Sequence, residues 1–349
     1  MADKRAGELL FLKLFFALLA AVFIFFVLKE LRQIFIPFFI ALFFYFMFNG
    51  MVRKLMKWKI PKSLILIALL LVIFTCLFLL GLLIFNGVSS FVDNFPAYSE
   101  KIVRMVKTLS AYLKLPALDV EKYIAHIDWG KTFDPAQITA LVSGAIGDFT
   151  SFIGNLLLVL LLLMLMLSEK VPMVARIAMA LSEERGEELQ RVVAAIDSKL
   201  RHYLFIKTLM GLVTAALAAV ILIVGRVDFV IFSALLIFFL NFIPTIGSLI
   251  GTAFPVMIAF LRYGFCLRLL LITAGLMVMG FVMGNVVEPQ VMGKNLNLSP
   301  IVIVLSLIFW GWLWGVVGLF LAVPITSALK IICENIPDLK PLAAAMSGE

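Results

Sequence analysis

Residues 229–261 read FVIFSALLIFFLNFIPTIGSLIGTAFPVMIAFL, 33 positions without one charged side chain. A straight helix of that length would run about 50 Å, whereas the hydrocarbon core of a bilayer is about 30 Å thick. The stretch also carries breaking residues near its middle: Asn241, Pro244 and Gly247, followed by Gly251. A break inside hydrocarbon strands backbone N–H and C=O groups, and persists only where protein, water or a ligand re-satisfies them. Asn241 and Thr245 add side-chain donors and acceptors at that point.

A second stretch, PIVIVLSLIFWGWLWGVVGLFLAVPITSALKII at 300–332, is equally long, with Gly311, Gly315 and Gly318 in its middle and Pro324 further on. Each stretch follows one ordinary apolar span, so span plus broken stretch occurs twice, at 208–261 and 267–332. Paired interrupted segments of this kind are the sequence pointer to a transporter's binding site. Two arrangements remain open. If both stretches are re-entrant hairpins, the two units enter from opposite sides. If both cross with a kink, the chain makes eight crossings and places Arg262 and Arg268 inside, as the positive-inside bias favours; the excess length favours hairpins.

Outward from this core the whole chain is apolar. Of 349 residues, 64% are hydrophobic and 14% charged, and no soluble fold has enough polar surface to cover such a composition. Further candidate spans are Leu9–Leu28, Ile34–Asn49 (with Pro37), Leu64–Phe85 and Phe152–Leu167. The first lacks a convincing small-residue cleavage site before Lys29 and is expected to be retained. The expected fold is therefore an all-α polytopic membrane protein of about six to eight transmembrane helices.

Two segments are not membrane-like. Residues 86–151 are net negative, and Val88, Phe91, Phe95, Tyr98, Ile102, Met105, Leu109 and Tyr112 step along one helical face. Residues 168–207 carry a stripe from Leu189 through Ile196 and Leu200 to Tyr203, as an interfacial amphipathic helix does. Basic residues crowd into short connections, above all Arg53, Lys54, Lys57, Lys59 and Lys62, which marks that turn as cytoplasmic. The net charge of +8 is thus a topology and lipid signal, with no nucleic-acid partner implied. The chain divides into N-terminal membrane spans (1–85), an extracytoplasmic helical lobe (86–151), a span (152–167), a cytoplasmic amphipathic segment (168–207), a transport core (208–332) and a cytoplasmic tail (333–349).

Chemistry concentrates in few places. The run Asn285-Val-Val-Glu288-Pro289-Gln-Val-Met-Gly293-Lys294-Asn295 carries the carboxylate nearest both broken stretches. An ionisable group at membrane depth is a functional candidate; the alternative is a local pair, for instance with Lys294. Asp228 is expected in a surface pair near Arg226. Trp310, Trp312 and Trp314 surround Gly311 and Gly315, as a belt or as an indole-lined turn. The glycines also serve close helix packing. Cys76, Cys266 and Cys333 have no metal or disulfide spacing, and the chain contains no HExxH, GxSxG or GxxxxGK[ST] motif. No enzyme activity, cofactor or metal is expected.

The run Asn241-Phe-Ile-Pro-Thr-Ile-Gly247 resembles the Asn-x-Ile-Pro-x-x-Gly signature of the autoinducer-2 exporter family of bacterial permeases. Glu288-Pro289-Gln-Val-Met-Gly293 is similar to its Glu-Pro-x-x-Met-Gly signature, and Leu298 through Trp312, Gly318 and Val323-Pro324 to its C-terminal part. The run Ser306 to Gly315 looks most like the quorum-signal exporter branch; Lys294, Asn295 and Asn297 depart from the family's small residues. The resemblance implies a bacterial inner-membrane transporter with both termini cytoplasmic, compatible with homo-oligomerisation. Its substrate would be a small polar solute such as the autoinducer-2 signal or, in an antiporter reading, sodium or lithium exchanged for protons. The candidate path residues, taken from the breaks and the polar cluster described above, are Asn241, Pro244, Thr245, Gly247, Gly251, Asn285, Glu288, Pro289, Gly293, Trp310, Gly311 and Gly315. A third reading, a non-transporting scaffold acting through the 86–151 lobe, stands beside these two.

Overall fold

The computed structural model describes residues 15–16, 19–20, 22–79, 81–83, 86–87, 90, 101, 153–169, 173–244, 246–292 and 297–348. Among them the chain is helical apart from turns and one antiparallel bridge between Leu298 and Ser347. Among the described residues five helical segments are long and apolar enough to cross a membrane: Arg32–Met56, Lys62–Leu83, Glu183–Val224, Leu267–Met292 and Pro300–Asn335, the last interrupted at Gly315. The protein is an all-α polytopic membrane protein. The expected lobe at 86–151 lies outside the described residues, apart from Asn86, Gly87, Ser90 and Lys101.

The chain forms two compact units: Met1–Met51 with Leu158–Leu200 and Leu296–Glu349, and Val52–Leu157 with Arg201–Asn295. The helix Glu183–Val224 runs uninterrupted for 42 residues. The change from charged to apolar composition at 207/208 therefore falls inside one helix. It contains no proline, and its polar and apolar halves are equally compatible with helical backbone.

In the second of these units the first broken stretch is a helical hairpin. Its limbs are Val230–Leu240 and Ile246–Tyr263. A Cβ on Gly251 would stand 3.3 Å from Ile237 Cα, and a Cβ on Gly247 would overlap the Leu240 carbonyl oxygen. At the open end Asp228 pairs with Arg262. The Tyr263 hydroxyl is shared between the carbonyls of Gly225 (2.9 Å) and Arg226 (2.7 Å). In a straight helix Asp228 and Arg262 would be about 50 Å apart.

The second stretch, in the other unit, turns back likewise. Helical geometry is interrupted at Gly315 (φ 63°, ψ −140°), a conformation that glycine enters without the Cβ penalty. Beyond it Gly318 lies against the Trp310 carbonyl, where any Cβ would overlap, and a Cβ on Gly311 would meet Leu319 at 2.7 Å. Lys330 Nζ donates to the Asn297 carbonyl at 2.5 Å, 33 residues back. In both stretches the excess length is absorbed by reversal, because the turns hold glycine where the limbs touch.

The C-terminal segment closes the base of the second hairpin. Ser299 N–H donates to the Met346 carbonyl (3.0 Å) and Gly348 N–H to that of Asn297 (3.2 Å). Elsewhere in this unit Trp314 Nε1–H donates to the Leu28 carbonyl (3.1 Å), beside the turn at Leu31. Phe39 lies 5.2 Å from the Trp314 ring, and Phe25 stacks on Trp312 at 5.2 Å.

The glycine contacts carry a test. Gly247→Ala and Gly318→Ala should each destabilise the protein by about 2 kcal/mol or more through overpacking, read as a lower denaturation midpoint in detergent. Gly284→Ala, whose Cβ would meet nothing within 4 Å, should leave the midpoint in place. Equal losses at all three positions would argue against the hairpins.

Candidate functional site

The helix Leu267–Val282 turns Ile272, Leu276 and Met279, and then Met283, into an apolar core with Ala218, Leu222 and Ile258. The spacing of four, three and four keeps one helical stripe. The chain then enters a π turn, Met283–Val287, in which the Glu288 N–H reaches the Met283 carbonyl five residues back. In an α-helix five residues overshoot a full turn by about 140°. The wider π turn removes most of that overshoot and returns Glu288 toward the buried face.

There Glu288 Oε1 pairs directly with Lys207 Nζ from the long helix. The Lys207 side chain is 4% exposed and that of Glu288 17%. Ile206 and Met210 flank the lysine, and Val287 and Met292 lie on the carboxylate side of the same apolar cluster. Removing two ions from water costs several kcal/mol each, and only close pairing offsets it. Either partner becomes available only when a proton, a cation or a ligand takes the other's place.

The first hairpin supplies a second polar feature in this unit. Ser233 and Asn241 are eight residues apart on one limb and share a face with Ile237. Ser233 is fully buried, and neither its Oγ nor Asn241 Nδ2 has a hydrogen-bond partner among the described residues. Gly211 of the long helix lies beside the amide: a Cβ there would stand 3.5 Å from Asn241 Nδ2. One turn down each limb from the Ile237–Gly251 contact brings Ser233 level with Pro255, which is also fully buried. Proline has no N–H, so the Gly251 carbonyl lacks its helical donor. The first hairpin thus holds an amide nitrogen and a hydroxyl without partners among the described residues, beside a carbonyl that has lost its helical donor.

The other expected residues are placed as follows. Pro244 lies in the hairpin turn and Gly251 on the limb contact. Thr245, Gly293 and Lys294 lie outside the described residues. Asn285 is exposed and donates to the Phe281 carbonyl of its own helix at 3.1 Å; Pro289 is exposed. In the other unit Trp310 and Trp314 are buried, Trp312 and Gly315 exposed, and Gly311 half-buried. Asp228 pairs with Arg262 rather than with Arg226, because the hairpin brings the distant cation to it. Lys207, Ser233 and Tyr263 were not singled out by the sequence. For Lys207 a signal existed: a lone cation whose helical neighbours Tyr203, Leu204, Met210 and Gly211 are apolar or small.

The chain matches AI-2E family transporter over residues 14–338. It is 31% identical over 316 residues to the AI-2 transport protein TqsA of Escherichia coli (strain K12), covering 90% of each chain. A putative transport protein of Haemophilus influenzae is 30% identical over 321 residues, 91% of each chain. Putative transport protein YhhT of Escherichia coli (strain K12) is 30% identical over 298 residues, 85% of this chain and 83% of that one.

The ion pair predicts non-additive energetics. Lys207→Met alone and Glu288→Leu alone should each cost about 3 kcal/mol, since each leaves an uncompensated charge in an apolar setting. The double variant should cost less than their sum by about 1.5 kcal/mol or more. Strict additivity in denaturation measurements would mean that the two side chains are not coupled.

Proposed function

This chain belongs to the AI-2E transporter family, and we propose that it is a secondary transporter of a small polar solute whose coupling group is the Lys207–Glu288 pair. The observation that carries the proposal is the position of that pair, direct and largely buried among apolar side chains. A purely structural role is an expensive use of two charges in hydrocarbon. Exchange of a proton or cation at Glu288 would unpair Lys207 and so link ion binding to rearrangement of the long helix.

The solute would bind at the first hairpin, through Asn241, Ser233 and the Gly251 carbonyl. One limb, Val230–Leu240, has 11 residues and spans about 16 Å, half the hydrocarbon thickness, so the first hairpin is read as re-entrant, and the second, which turns back likewise, is read the same way. The membrane is proposed to be the bacterial inner membrane, with cytoplasmic termini and the 86–151 lobe outside. TqsA is named for AI-2 transport, which makes that quorum-sensing signal the first substrate to try; other relatives are named only as putative transport proteins. A cation–proton antiporter is the second reading, favoured by the carboxylate itself.

Flux in proteoliposomes loaded with AI-2, under an imposed proton or sodium gradient, separates these readings. The wild type should release AI-2 above empty-vesicle controls, and Glu288→Gln should abolish the gradient's effect. Ser233→Ala with Asn241→Ala should raise the half-saturating solute concentration about tenfold, the worth of a lost hydrogen bond to a buried group, with coupling kept. Proton movement answering to sodium or lithium without AI-2 flux would favour the antiporter. Full coupling in Glu288→Gln would end the role of the carboxylate in both, and silence throughout would favour a scaffold.

A further inference from the structure

Three helix ends converge at the base of the first hairpin: the long helix stops at Val224, the return limb at Tyr263, and the next helix starts at Leu267. Between 224 and 268 the charged residues are Arg226, Asp228, Arg262 and Arg268. Asp228 pairs with Arg262. Arg226 and Arg268 are exposed and have no carboxylate partner among the described residues.

Tyr263 organises this cluster. Its hydroxyl is fixed by the Gly225 and Arg226 carbonyls, and its ring carries two guanidinium groups, Arg268 at 5.1 Å and Arg262 at 5.5 Å from the centroid. Arg268 is thus an exposed cation held in place by its aromatic support. A planar guanidinium held in this way presents paired N–H donors that match phosphate oxygens. Around it stand Phe265, 84% exposed, Val224, 76%, and Leu267, 71%. Such side chains beside arginines fit the boundary between headgroups and hydrocarbon. Free phosphate would use only the arginines, whereas a phospholipid uses both features.

Topology gives no other reason for the charge. Counted along the chain from the basic 53–62 turn, with the hairpin re-entrant, these arginines fall at the opposite face, where the positive-inside bias predicts few. We propose that the base of the first hairpin binds the headgroup of an anionic phospholipid. Its phosphate sits on Arg268, Arg226 adds attraction, and the acyl chains follow Phe265 and Leu267.

Native mass spectrometry of the full chain in detergent, titrated with phosphatidylglycerol or phosphatidylcholine, tests this. The wild type should take phosphatidylglycerol in preference. Arg268→Gln should weaken that binding about fivefold, the contribution of one basic residue at an anionic surface. Arg226→Gln, which leaves the stack on Tyr263 untouched, should show a loss of the same order and covers the case in which Arg268→Gln does not fold. Arg191→Gln, at an exposed position on the long helix, should change nothing. Equal affinity for the two lipids, no loss in a folded Arg268→Gln or in Arg226→Gln, an equal loss in Arg191→Gln, or displacement of the lipid by an equal concentration of inorganic phosphate would each overturn the proposal.

Discussion

Every unusual feature of this chain answers one constraint: backbone polar groups away from water must find partners within the protein. A 33-residue apolar stretch meets it by folding into two helical limbs, Val230–Leu240 and Ile246–Tyr263, joined by a short turn. Even there the bonds are recovered, with Phe242 N–H donating to Phe239, Ile243 N–H to Leu240 and Gly247 N–H to Ile243. Close approach of the limbs is what shields the turn, and close approach requires that no Cβ stand at Gly247. The same requirement recurs at Gly318. Glycine is present less for flexibility than because a carbonyl already occupies the place of its side chain.

The buried ion pair follows from a second use of backbone geometry. A regular helix through Leu276, Met279 and Met283 would carry residue 288 well off the buried stripe. One π turn re-aims it without bending the chain away from its neighbours. The turn is affordable because Gly284 and the exposed Asn285 leave its outer side uncrowded. Helix irregularities of this kind concentrate at functional positions, and here the irregularity decides which side chain faces Lys207.

What was legible in the sequence was the set of local signals. Length against bilayer thickness, with Asn241, Pro244, Gly247 and Gly315, pointed to the two broken stretches, and Glu288 stood out as a carboxylate beside them. The partners were not legible. Lys207 follows the charged and polar residues of 168–206 and reads as the last of them, although its helix continues unbroken and buries it. Its counter-ion is 81 residues away, and the pairing depends on a π turn for which Met-Gly-Asn-Val-Val carries no recognisable code. Asp228 was matched with its sequence neighbour Arg226; only the reversal of the hairpin makes Arg262 nearer. Sequence reports where a helix must break, but which residues then meet is a matter of register.

The two hairpins share a plan and differ in what holds them shut. Each has glycine where the limbs touch, a proline in the return limb (Pro255 and Pro324), and a cation of the return limb at the base. At the first, the clamp is a pair with both side chains more than a third exposed, the kind that water and salt weaken, supported by a neutral hydroxyl. At the second, a lysine 3% exposed donates to a main-chain carbonyl, with Glu334 at 3.5 Å, and the C-terminal bridge lies over the same residues. Opening there would break a charge-assisted bond made by a buried ammonium, which costs more than parting an exposed pair. The first hairpin also carries Ser233 Oγ and Asn241 Nδ2, buried polar atoms with no hydrogen-bond partner among the described residues. Of two elements built alike, the first has the weaker clamp and the polar atoms without partners among the described residues, and both features support the proposal that the solute binds there.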